Sequence, residues 1–172
     1  MSSGKPVYVL DTNILIEAHR RYYAFDLCPG FWDFLIASHQ HGYICSIDRV
    51  RTELEAGKDE LAKWIDDTLP GSFFMPTASA SVVAQYTGMI TWVNGRGFKP
   101  EAKAEFASVA DGWLVAYAKA NTDHIVVTHE QPRPDARKKV LIPDVCVEFK
   151  VDYQDTFAML KQLKASFTWT AP

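Results

Sequence analysis

Apolar residues in this chain fall into two kinds of run. The short unbroken ones, Val7-Tyr8-Val9-Leu10, Tyr43-Ile44-Cys45, Ile125-Val126-Val127 and Val140-Leu141-Ile142, have the length and continuity of strands buried on both faces. Between them lie segments with apolar positions at helical spacing. Phe31 to Ile36 predicts a helix ended by His41-Gly42. A helix from Ile47, capped by Ser46, carries Val50 and Leu54 on one face and closes at Gly57. Asp59 to Leu69 predicts another, stopped by Pro70-Gly71, and Phe73-Phe74-Met75 follows as an edge strand. Ala78 to Val93 reads as helix until Asn94-Gly95-Arg96-Gly97 breaks it, and Pro100 suits the first turn of the next. Val109 to Ala120, Pro143 to Phe149 and Thr156 to Leu163 complete the helices, and a brief extended piece starts at Val151. Strands separated by helices predict a parallel sheet covered on both faces.

Composition narrows this picture. At 172 residues the chain is expected to form one domain, 1–172, and with 48% hydrophobic residues it is too apolar for disorder. A net charge of −3 excludes a protein that coats nucleic acid by bulk attraction. A nuclease stays open, because a bound metal reverses the sign of an acidic pocket. Three scattered cysteines, Cys28, Cys45 and Cys146, make neither a disulfide framework nor a zinc site. The start, Met1 to Pro6, is polar and no run reaches membrane-spanning length, so a soluble cytoplasmic protein is expected.

Four acids stand at element ends. Asp11 follows the first strand, where open α/β sheets place their ligands. Glu53 lies in the helix after the second strand, Asp111 opens a later helix, and Glu130 follows Thr128 at the end of another strand. Each has a plainer explanation: Asp11 as a helix cap, Glu53 as a solvated helix acid, Asp111 as a charge favoured at a helix N-terminus by about 0.3–1 kcal/mol, and Glu130 as a loop residue. Gathered at one end of a sheet, four carboxylates repel one another, and a hard Mg²⁺ or Mn²⁺ ion removes that penalty. Such an ion activates water and balances charge on a phosphate, which points to phosphodiester hydrolysis.

Val7 to Asn13, the Ser46, Val50, Glu53 spacing, Ala110 to Ala116, and Ile125 to Thr128 resemble, in order, the four signature segments of PIN-domain ribonucleases, many of which are VapC-like toxins. The resemblance is closest to a bacterial and archaeal subgroup labelled as a domain of unknown function. Arg21 to Asp26, Cys28 to Asp33 and Ile142 to Cys146 look like that subgroup's own marks. It implies a PIN-like three-layer α/β/α fold with a central, mainly parallel twisted sheet flanked by helices. Asp11, Glu53 and Asp111 would then be metal ligands and Asn13 would orient the pocket. Thr128 matches the hydroxyl residue two positions before a fourth acid, usually Asp, here Glu130. The family implies a Mg²⁺- or Mn²⁺-dependent endoribonuclease leaving a 5′-phosphate and a 3′-hydroxyl, the toxin of a type II toxin–antitoxin pair, with an antitoxin partner and a homodimer expected.

Substrate contacts are expected from Arg20, from Tyr22 as a base-stacking ring, and from Arg133, Arg137, Lys138 and Lys139 in the loop after Glu130. Trp32, Trp64, Trp92 and Trp113 sit at core spacing, and the five histidines form no catalytic pattern. Two other classes remain open. One is a PIN-like module that binds RNA or protein without cleaving. The other is a haloacid-dehalogenase-type phosphatase, whose second aspartate would stand where this chain has Asn13.

Overall fold

The computed structural model describes residues 4–172; the first three residues of the polar start lie outside it. Five parallel strands run in the order β3-β2-β1-β4-β5: β1 (Val7–Leu10), β2 (Ile44–Ile47), β3 (Phe74–Met75), β4 (His124–Val127) and β5 (Tyr153–Gln154). The chain thus begins in the middle of the sheet, builds outward through β2 and β3, then crosses back to lay β4 and β5 on the other side. Tyr8 pairs with Ile44 on one flank and with Ile125 on the other. All four residues of β2 and three of the four in β1 are buried, as a strand covered on both faces requires.

Among the described residues nine α-helices surround the sheet. They are α1 (Thr12–Glu17), α2 (Pro29–Gln40), α3 (Asp48–Ala56), α4 (Glu60–Asp67), α5 (Ala80–Gly95), α6 (Pro100–Ser108), α7 (Asp111–Ala120), α8 (Ile142–Phe149) and α9 (Thr156–Gln162). A π-helical turn, Ala18–Tyr22, extends α1, and a 3₁₀ turn, Gly71–Phe73, leads into β3. Three helices start on side-chain caps, from Asp59 to the Ala62 amide, Ser79 to Val82 and Asp155 to Ala158. Proline occupies the first turn of α2, α6 and α8, where its missing N–H costs nothing. None of these helices is long and apolar enough to cross a membrane.

Helix α7 is the buried pillar of one layer, with Leu114, Val115 and Ala116 fully enclosed against the sheet. Its outer side takes α5, where Tyr86 stacks on Trp113 at 3.7 Å between ring centres. Gly112 makes this approach possible. A methyl group there would lie 2.8 Å from the buried Phe106 ring and 3.0 Å from Tyr86. Gly112→Ala is therefore expected to destabilise the protein by about 1–3 kcal/mol despite alanine's better helix propensity, read as a lower midpoint in urea. On the other layer Trp32, Trp64, Phe25 and His19 pack in tilted and edge-on pairs with centres 4.4 to 6.5 Å apart, and Phe167 near the C-terminus lies against Tyr23, Phe31 and Phe34. Trp32 is buried in the core and Trp64, Trp92 and Trp113 pack against it, as expected from their spacing.

Two expectations fail. Val140 to Ile142 is not a strand: the three are buried, but the free flank of β4 is already taken by β5, and Ile142 instead opens α8. Ser46 is not a helix cap. It lies inside β2, and its buried hydroxyl donates to the Leu10 carbonyl at 2.6 Å, tying β2 to the end of β1, while α3 starts two residues later.

Candidate active site

The strand order reverses between β1 and β4, and the crevice beyond their carboxyl ends is where open α/β sheets bind ligands. Asp11 leaves β1 at this point, and Thr128 leaves β4 beside it. The Asp11 amide continues the ladder by donating to the Val127 carbonyl at 3.0 Å. Asp11 occupies the cap position of α1, yet its side chain makes no capping bond. It turns instead into the crevice, 2% exposed, and accepts from the Thr128 hydroxyl at 3.1 Å. The Thr128 oxygen in turn accepts from the Glu130 amide at 3.2 Å.

The other acids arrive from three further stretches. Asp111 is the first residue of α7 and half-buried. Glu53 projects from α3, accepting from the Thr12 hydroxyl on one oxygen and from the Ala110 amide, 2.8 Å away, on the other. Glu130 accepts from the Ile142 amide at 2.8 Å and from the Lys139 ammonium at 2.6 Å. Both glutamates therefore satisfy an otherwise orphaned N–H at a helix start, Glu53 beside α7 and Glu130 at α8, where the helix dipole favours negative charge.

The electrostatics place all four acids in one neighbourhood. Burial pushes the Asp11 carboxyl up to about 7, with the charges of Glu130 and Glu53 adding to it and the Thr128 hydroxyl and Thr12 amide opposing. Burial likewise pushes Asp111 up to about 8, reinforced by Asp11, Glu130 and Glu53 and eased by Lys139. Two carboxyl groups raised to neutrality lack positive charge, and oxygen donors in this number suit a hard divalent cation. Among the described residues no three side chains already stand as a cation cage, because both glutamates are turned onto protein donors.

The remaining residues singled out by sequence are placed as follows. Asn13 is exposed and makes no hydrogen bond to the acids among the described residues. Arg20 is exposed beside Asp59 at 3.7 Å. Arg133, Arg137, Lys138 and Lys139 line an open groove of about 570 Å³ within the loop after Glu130. Arg137 donates to the Pro134 and Ala136 carbonyls, and Lys139 is the member that reaches the acids. Tyr22 is 46% exposed and forms a trio with His129 and Phe157, centres 5.8 to 6.1 Å apart, next to Thr128 in the chain. Thr12, the Ala110 amide and Phe157 were not foreseen; Thr12 carried a signal only in its place next to Asp11.

No match is found among curated proteins. Among solved structures, a chain of the VapBC2 crystal structure from Rickettsia felis, bound to a DNA fragment from their promoter, superposes with a TM-score of 0.50 at 16% identity. The match covers 87% of this chain and 98% of that one. The likeness is one of fold, and the fold is PIN-like. The family described as Domain of unknown function (DUF4411) matches residues 8–167, and the chain belongs to it.

Proposed function

We propose that the chain is a Mg²⁺- or Mn²⁺-dependent endoribonuclease and the toxin of a type II toxin–antitoxin pair. The observation that carries this reading is the pair of raised carboxyl groups, Asp11 and Asp111, at the switch point of the sheet. Asp11, Asp111 and Glu53 would hold the cation, with Glu130 assisting. When bound, the metal supplies the charge that activates a water and balances charge building on a scissile phosphate. Thr128 fixes the Asp11 carboxylate through its hydroxyl, and Thr12 does the same for Glu53. Arg133, Arg137 and Lys138 offer their charges to flanking phosphates along the loop groove. Tyr22 presents a ring to an unpaired base. No histidine base and no covalent intermediate are needed, and the products carry a 5′-phosphate and a 3′-hydroxyl.

The similar Rickettsia felis chain comes from a VapBC2 complex on promoter DNA, which supports an antitoxin partner for this chain. A segment of that antitoxin would enter the same crevice, and the chain would pair as a homodimer. One observation favours a second reading, an RNA-binding module without activity: Glu53 and Glu130 are both fully engaged by protein donors. Purified protein with Mn²⁺, given transfer RNA, ribosomal RNA and unstructured RNA, decides between them. Cleavage leaving 5′-phosphates is expected. Binding to RNA that stays intact establishes the inactive module instead.

A further inference from the structure

We infer that the acidic crevice takes one divalent cation per chain, and that the ammonium of Lys139 stands where a second would sit. The inference rests on the metal-dependent reading above and goes beyond it, since four carboxylates in one crevice are enough donors for two ions.

Glu130 is the one of the four acids that, among the described residues, is already paired with a cation. One oxygen accepts from the Ile142 amide at 2.8 Å, at the start of α8, and the other from Lys139 at 2.6 Å. Its side chain is only 13% exposed, so its two partners are its solvation. Releasing Lys139 to admit a metal would leave a largely buried carboxylate to exchange one cation for another with no gain in donors. An ammonium is a compact, strongly hydrated point charge, the side chain closest in character to a bound metal ion.

Charge balance points the same way. With all four acids ionised, Lys139 and one divalent ion leave a single negative charge in the crevice. A second divalent ion beside the ammonium would make the crevice net positive before any phosphate arrives. The backbone at Lys139 is anchored, because Val140 and Leu141 directly after it are buried and Ile142 begins α8, and the ammonium is held by Glu130 at 2.6 Å. Lys139 therefore belongs to the acid side of the crevice. Of the four basic residues in the loop, it is the one withdrawn from phosphate binding.

Titration calorimetry of the full chain with MnCl₂, without RNA, tests this directly, alongside the electron paramagnetic resonance of the bound Mn²⁺. The wild type is expected to bind one ion per chain with an uncoupled signal. Lys139→Met is expected to bind two with spin coupling, and Lys139→Arg, which keeps the charge, to bind one. Two ions on the wild type overturn the inference and leave the metal-dependent reading standing. A folded Lys139→Met that still takes one ion overturns it as well. No Mn²⁺ bound by any folded form overturns both together. Circular dichroism reports folding of the variants, and the wild-type stoichiometry decides the matter even if Lys139→Met fails to fold.

Discussion

Asp111→Asn and Asp11→Asn should each cut RNA cleavage by about 10²–10³-fold or more while leaving the protein folded. Both changes keep the side chain's shape and remove its charge. Asparagine at position 11 can still accept from the Thr128 hydroxyl, so the local geometry has a route to survive. The loss is then in the ability to hold a cation, and it should appear in the rate of a single turnover at saturating protein as well as in overall activity. The thermal melt of each variant, run in chelator, should be no lower than that of the wild type, because a buried carboxyl without countercharge has been replaced by a neutral amide. Cleavage by both variants at the wild-type rate removes these two residues from the chemistry.

Raising the pH from about 4 to about 8 should weaken the cation-free protein, and Mn²⁺ should repair most of the loss at the upper end. Asp11 and Asp111 ionise near 3.8 when unfolded but near 7 and 8 in the folded chain. Across that window the folded state holds protons that the unfolded chain has released. Stability is therefore greatest below the unfolded value and falls as pH climbs through the folded ones. The shift of Asp11 alone corresponds to roughly 4 kcal/mol. The Asp111 shift does not simply add to this, since the charge of Asp11 is itself one of the causes that raise it. Melts at pH 5 and pH 8, each in chelator and in millimolar Mn²⁺, check the prediction. The ion should raise the melting temperature at pH 8, by about 2.7 kcal/mol of linkage if it is present at a hundred times its dissociation constant, and much less at pH 5. A cation-free protein more stable at pH 8 than at pH 5 contradicts the assignment, and Asp11→Asn should flatten the dependence.

What sequence discloses about this chain follows from how local each signal is. Val7 to Leu10 declares itself a buried parallel strand because four apolar residues in a row fit little else, and the acid after it is located by that strand alone. Asp111 stands out as a lone charge before a long apolar helix, and α7 begins there. Contacts that depend on what the chain does elsewhere leave no such trace. The apolar run Val140 to Ile142 announces burial but not whether a neighbouring strand has room for it, and β5 had taken that place. Ser46 carries the residue type of a cap, yet its hydroxyl is used between strands. The pairing of Glu130 with Lys139 and of Glu53 with Thr12 and Ala110 links stretches whose separation no periodicity encodes. The family resemblance singles out the four acids but carries no trace of the donors that hold Glu53 and Glu130.

The outermost strands, Phe74–Met75 and Tyr153–Gln154, are each only two residues long. Unpaired amides on a sheet rim invite another chain to add itself there, and so brief a rim offers too few of them to hold one. Copies of this protein should therefore resist edge-to-edge growth into fibres. Any stable self-association has to be built from helix and loop surfaces, so changes confined to the rim strands should leave the assembly state untouched.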